Sequence, residues 1–396
     1  MLLFLTSLPL FAEDAHLCDA HDWFSQTTRS TDSLTALLCA GAKDADFERR
    51  TAAVRKLHRV IRNDSKGPQA YRAHEVLYSV FFRAGQYREA LREMDAMLAI
   101  KPKAEDVLED RPLVAGFSHF PDQTSSARPS VLAVSDLNDG YPHLPVQVNG
   151  KKALWSMDTG ANISAITDAE AAALGLTVRP VETKMQDISG SSLAIKITQV
   201  DDLRIGDCHL KHVSFFVLPR TQPPFNDLPV DQQALLGIQV LRGLGSVRIK
   251  KGEQVEVGVK PDRSATWTPL AFDQAIPVLQ LRFEERPLTF TFDTGATRTT
   301  LNSSFASLFP RTIELGEKKQ HKLTGVGGST MQDAVEIQHL TFTLADRNVQ
   351  LSPATVLLNK TTGTSVWAAG NFGFDLLRQA EPVTIDFRDM RLYVGR

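Results

Sequence analysis

Cysteine is scarce in this chain: three residues in 396, at Cys18, Cys39 and Cys208. So few thiols in so long a sequence rule out a disulfide-framework protein. No His-Glu-x-x-His, P-loop or Gly-x-Ser-x-Gly motif is present. Their absence removes the usual signatures of helical zinc hydrolases, phosphate-cradling NTPases and serine hydrolases of the nucleophile-elbow type. Neither charge sign is in excess, with 44 Lys and Arg against 46 Asp and Glu and a net charge of −2. No global field therefore recruits nucleic acid or an anionic membrane. Cys208, His209 and His212 are the nearest approach to a metal-ligand run, and no second cluster accompanies them, so no metal is expected. The apolar stretch Leu2–Phe11 is too short to span a bilayer but has the length of a signal-peptide core.

What is present divides the chain into parts. Length alone predicts two or three domains. Residues 1–15 read as a signal segment, which would make the protein exported, periplasmic or secreted. Cys18 and Cys39 are then available for one bridge; the alternative is three free thiols. Residues 16–110 read as helical. In Phe47–Arg62, Val54, Leu57, Val60 and Ile61 share one face, and six Arg or Lys residues crowd the remainder. The next stretch resembles a tetratricopeptide unit through Gly85, Tyr87, Ala90, Leu98 and Pro102. One such unit cannot bury its own apolar face, so it must pack on the preceding helix or the downstream domain. It is also the candidate surface for a protein partner. Residues 111–139, rich in Pro, Ser, Gly and Asp, read as a linker or loosely docked segment.

From about Gly140 the pattern turns to β, with short apolar or alternating runs separated by turn residues, as in LPVQVNG, HVSFFVLP, LTFTFD and PVTIDFRD. The expected fold class is mainly β, in two related lobes at residues 140–262 and 263–396. The tetrapeptide Asp-Thr-Gly-Ala occurs twice, at Asp158–Ala161 and Asp293–Ala296, 135 residues apart. Each copy follows a strand-like run. Each is followed by a glycine turn, with Gly190 32 residues beyond the first aspartate and Gly327 34 beyond the second. Each then reaches a second glycine segment, Leu235-Leu236-Gly237 or Asn371-Phe372-Gly373, at offsets of 79 and 80. Four features in one order at matched spacing indicate a duplicated domain.

These residues resemble the retroviral-like (retropepsin-like) aspartic proteases, over about residues 140–396. The resemblance implies two pseudo-symmetric β-barrel lobes in one chain, each supplying one catalytic aspartate, Asp158 and Asp293. Two carboxylates in contact cannot both ionise cheaply, so they share a proton and titrate as a pair flanking one water. Thr159 and Thr294 are expected to hydrogen-bond across the lobe boundary. Gly160 and Gly295 are expected to form tight turns whose N–H groups face the carboxylates. Ala161 and Ala296 replace the Ser of pepsin-like enzymes, which removes a donor to the carboxylate and predicts activity nearer neutral pH. Ile188, Ser189 and Gly190 in one lobe, and Gly325, Val326, Gly327 and Gly328 in the other, are the expected substrate-binding flaps. Asn371 stands where the family has an apolar residue. The implied partner is a polypeptide substrate, with no metal or organic cofactor and no nucleic acid, and a monomer is expected to be competent. The same cleft without activity would make a peptide-binding protein or a scaffold.

Overall fold

A computed structural model describes residues 18, 23–24, 32–134, 141, 143–186, 192–223, 225–250, 254–262, 264–325, 328–359 and 367–395. The expected signal segment, residues 1–15, lies outside them.

Five helices open the described chain: α1 (Ser33–Asp46), α2 (Arg50–Asn63), α3 (Pro68–Arg83), α4 (Tyr87–Ile100) and α5 (Glu105–Ser118). Asp32 caps α1, its carboxylate accepting from Thr35 N at 2.8 Å. On α2, Ala53, Leu57 and Val60 are buried, Val54 and Ile61 pack partly buried beside them, Arg50 lies over the Phe81 ring, and Arg55, Arg59 and Arg62 are exposed. Pro68 starts α3 where its missing N–H is not needed. Gly85, at φ +67°, turns the chain into α4. This helical hairpin occupies the stretch with the tetratricopeptide-like spacing. Cys18 and Cys39 form a disulfide.

The expected linker is not one. Helix α5 runs through Arg111 and Pro112 to Ser118, and Thr124–Ser126 and Ser130–Ala133 are strands. Burial of Val107, Leu113, Val114 and Phe117 outweighs the local proline signal. The two short strands sit at sheet edges, where polar residues and a neighbouring proline are tolerated. They pair with Cys208–Leu218 and Gln254–Val257.

The first lobe is a closed barrel of six strands. Its ring order is His143–Val148, Lys151–Met157, Ala234–Leu236, Ser164–Thr167, Cys208–Leu218 and Ser192–Ile205, which returns to His143–Val148. The second lobe repeats the pairings around its aspartate. Arg286–Phe292 lies parallel to Gly370–Phe372, as Lys151–Met157 does to Ala234–Leu236. Thr300–Leu301 lies parallel to Ala354–Leu357, as Ser164–Thr167 does to Cys208–Leu218. The two long strands of lobe one are each broken in lobe two, into Gly328–Ile337 with Leu340–Leu344 and Arg347–Leu351 with Ala354–Leu357.

A six-stranded antiparallel sheet joins the lobes. Its order is Ser130–Ala133, Gln254–Val257, Ser246–Lys250, Val383–Asp386, Arg391–Val394 and Thr266–Asp273, three strands from each half of the chain. One apolar core runs through both lobes, from Trp155 and Phe215 in the first to Phe290 and Phe342 in the second. The helical region forms a second core that includes lobe-one residues Ala161, Ile163, Phe216, Leu218 and Leu235. Arg83, 1% exposed, fastens it further. Its guanidinium donates to Ala45 O (2.8 Å), Glu48 Oε1 (3.1 Å) and Gln274 O of lobe two, and lies 4.6 Å from the centre of the Phe272 ring. Glu48 in turn accepts from Arg242 of lobe one at 2.5 Å. Both charges of this pair are held by several partners, which offsets the cost of removing them from water.

Candidate active site

Each aspartate stands at the end of a strand, on a turn held from behind by the glycine segment. Asp158 N donates to Leu236 O and Asp293 N to Phe372 O, both at 3.0 Å. Ile238 N donates to Ala161 O and Phe374 N to Ala296 O, both at 2.8 Å. Gly237 N is received by Ser164 Oγ (3.0 Å) and Gly373 N by Thr299 Oγ1 (2.9 Å). A side chain at either glycine would strike the loop backbone: a Cβ would fall 2.7 Å from Ala161 O at Gly237, and 2.7 Å from Arg298 C at Gly373. The brace is therefore the same in both lobes, although Asn371 departs from the apolar pattern.

The two loops interlock. Thr159 N donates to Thr294 Oγ1 (3.0 Å) and Thr294 N to Thr159 Oγ1 (2.9 Å). Each hydroxyl then donates across the boundary, Thr159 to Phe292 O (2.8 Å) and Thr294 to Met157 O (2.9 Å). All four groups are buried, so each orphaned partner would carry a full desolvation cost. Thr159→Val should destabilise the protein by roughly 2–4 kcal/mol through two such orphans, read as a lowered urea midpoint at unchanged m-value. A shift equivalent to less than about 0.5 kcal/mol would mean the interlock contributes little.

Asp158 and Asp293 meet at the centre, each only 1% exposed. Gly160 N donates to Asp158 Oδ1 and Gly295 N to Asp293 Oδ1, both at 2.9 Å. Each glycine also lies directly under the opposite carboxylate. A Cβ on Gly160 would fall 2.6 Å from Asp293 Cγ, and one on Gly295 2.4 Å from Asp158 Cγ. Glycine is required here by close approach, since neither residue has positive φ. Burial, then the neighbouring Asp293 carboxylate, pushes Asp158 up to about 8. Asp293 goes the other way: burial opposes ionisation, yet its carboxyl lies below the ordinary value, with hydrogen bonds from Asn371 and Asp158 among the causes. The two carboxyls in contact are thus pushed in opposite directions, Asp158 up and Asp293 down.

Among the expected flap residues, Ile188, Ser189, Gly190, Val326 and Gly327 lie outside the described residues. Their flanking strands are paired antiparallel, closing at Gln186 opposite Ser192 and at Gly325 opposite Gly328. Cys208 and its neighbours lie apart in a hairpin, where the thiol donates to Arg128 O at 3.1 Å and His209 pairs with Asp202.

Two residues that sequence reasoning passed over belong to the site's frame. Asn371 Nδ2 donates to Asp293 Oδ2 at 3.0 Å. Gln239, on the helix after Gly237, accepts from Tyr87 Oη (2.7 Å) and donates to Phe82 O (2.7 Å), which ties the lobe-one brace to α3 and α4. The only advance sign of Asn371 was its polarity in an apolar segment; Gln239 gave none.

Two aspartate loops interlocked between duplicated β-lobes define the aspartic-protease arrangement. The aspartyl protease family matches the chain twice, at residues 144–240 and 279–366. Each match lies within one lobe and contains one Asp-Thr-Gly-Ala copy, so both lobes are similar to that family. Among solved structures, a retropepsin-like aspartic protease from Rickettsia conorii is similar at 22% identity, over 34% of this chain and 93% of that chain, with a TM-score of 0.26. No curated protein matches the chain.

Proposed function

We propose that this chain is an aspartic endopeptidase whose water nucleophile is activated between Asp158 and Asp293. The observation that carries the reading is the contact of the two buried carboxylates, each over the other loop's glycine. The ionised member takes a proton from water as the water oxygen attacks the peptide carbonyl carbon. The protonated member gives its proton to the carbonyl oxygen. Return of one proton to the amide nitrogen, and recovery of a hydroxyl proton by the other carboxylate, break the C–N bond and restore the pair. One chain supplies both halves, so a monomer suffices.

The pH dependence follows from the pair. Activity needs the Asp158 proton, which is lost as pH rises through about 8. It also needs Asp293 ionised, which its lowered value preserves into acid. The full-length protein should therefore cleave a diverse peptide library across acid and neutral pH, with kcat/KM falling on the basic side near pH 8 and one water oxygen incorporated per cut. No cleavage at any pH would replace this reading with peptide binding alone.

The Cys18–Cys39 disulfide supports placement in an oxidising compartment, in line with an exported protein. The helical region has a buried face committed to lobe one, so a protein partner would engage its remaining surface. No described helix is long and apolar enough to cross a membrane.

A further inference from the structure

Among the differences between the duplicated lobes, one lies in hydrogen-bond contact with the dyad. Asn371 lies opposite Thr291 in the strand pair that carries Asp293. Its counterpart in lobe one is Leu235, opposite Ser156. Leu235 is aliphatic and fully buried and has no amide to offer Asp158. Ser156 Oγ sits 3.5 Å from Ala234 O. In lobe two, Thr291 Oγ1 lies 2.6 Å from Asn371 Oδ1, and Asn371 Nδ2 lies 3.0 Å from Asp293 Oδ2. A hydroxyl donating to Oδ1 fixes the amide orientation and turns the NH2 toward the carboxylate. The Ser hydroxyl of pepsin-like enzymes has no counterpart after either glycine, where Ala161 and Ala296 stand. The amide thus supplies Asp293 with a donor from a neighbouring strand, at the position that Leu235 holds in lobe one.

A donor stabilises the ionised form of the carboxylate that receives it. Its asymmetry is therefore enough to choose which of two coupled carboxyls keeps the shared proton. Resting on the endopeptidase reading, we propose that Asn371, anchored by Thr291, is a positioning residue that keeps the negative charge on Asp293 and the shared proton on Asp158. Asp293 is then the base that takes the water proton, and Asp158 the acid that protonates the carbonyl oxygen. Asp158 faces Asp293 from the opposite loop. On lobe two, Asp375 is engaged by Thr299 N (2.9 Å) and Thr299 Oγ1 (2.6 Å), and Arg298 is exposed. Neither offers Asp293 the directed donor that Asn371 does.

The test is carboxyl-carbon NMR on full-length protein labelled with [γ-13C]aspartate, together with the pH profile of kcat/KM. Signals lost in Asp158→Asn and Asp293→Asn assign the pair. In the wild type the Asp293 carbon should titrate below the Asp158 carbon. In Asn371→Leu, which copies lobe one, the Asp293 titration and the acidic limb of kcat/KM should both move up by about one pH unit. Thr291→Val should move them in the same direction by less, and Thr291→Ser should leave them in place. If Asn371→Leu fails to fold, the Thr291 pair decides alone. An Asp293 carbon that titrates above Asp158 in the wild type, or that does not move in folded Asn371→Leu or Thr291→Val, would overturn the assignment. Absence of cleavage by the wild type would count against the endopeptidase reading only, since the NMR titrations do not need turnover.

Discussion

Asp158→Asn and Asp293→Asn should each reduce peptide cleavage by about 10²–10⁴-fold or more, and the double variant should be little worse than either alone. The two groups are halves of one device: one abstracts while the other donates. Removing either leaves a site able to perform neither half-reaction completely, and groups that act as a unit do not contribute additively. Asparagine preserves shape, and the Gly160 and Gly295 N–H groups still have an oxygen to meet at each position. A thermal melt close to the wild type should therefore accompany the loss. Equal loss in both variants means one dyad in one chain. Near-normal cleavage by either variant would mean the chemistry lies elsewhere. Recovery of activity on mixing the two variants would mean that lobes from different chains can pair, against the intrachain interlock of Thr159 and Thr294.

How much of this was legible beforehand depends on whether the signal was local. The aspartates, their glycines and the bracing segments could be read because duplication writes each constraint twice at nearly the same offset. The alternation of short apolar runs was enough for a mainly β class. That the lobes are barrels came from the resemblance and not from the strand pattern; the strand order around the ring of lobe one and the broken strands of lobe two were not readable, because they depend on which strand ends meet in space. The stretch from Arg111 was misread for a similar reason. Its proline and polar residues are turn signals locally, yet Val114 and Phe117 gain more by packing than the segment loses through Pro112. Asn371 looked like a blemish in an apolar motif. Its meaning appears only when strand pairing sets it opposite Thr291 and within reach of Asp293. Gln239 and Asp375 are a comparable pair. They hold the same place after their glycines, but Asp375 turns to its own loop through Thr299, and Gln239 turns outward to α3 and α4.

That outward turn leads to the second large expectation: a chain beginning at residue 119 should lose activity and precipitate or unfold, not become more active. A removable prosegment would cover the cleft and leave the catalytic lobes complete without it. Here the helices cover the back of the lobe-one loop. Ala161 and Ile163, three and five residues past Asp158, are fully buried in the core shared with Leu57, Leu77 and Tyr87. Phe216, Leu218 and Leu235 belong to the same cluster, and Phe117 lies 5.7 Å from Phe216 between ring centres. The lobe-two equivalents Ala296, Thr297 and Arg298 are not buried in this way, so the helices back the aspartate loop of lobe one and not that of lobe two. Fully exposing four large side chains, Ile163, Phe216, Leu218 and Leu235, would cost at most about 6–12 kcal/mol, comparable with the whole stability of an ordinary domain. Even partial exposure would loosen the loop that holds Asp158 over Gly295, and small displacements at such a site are expensive in rate. The measurement is cleavage and urea unfolding of residues 119–396 beside the full chain. A soluble fragment with undiminished kcat/KM would show that lobe one closes its own core and that the helices serve another purpose. A fragment that is inactive alone and regains cleavage when residues 32–118 are added separately would show that the helices act by packing on the loop behind Asp158.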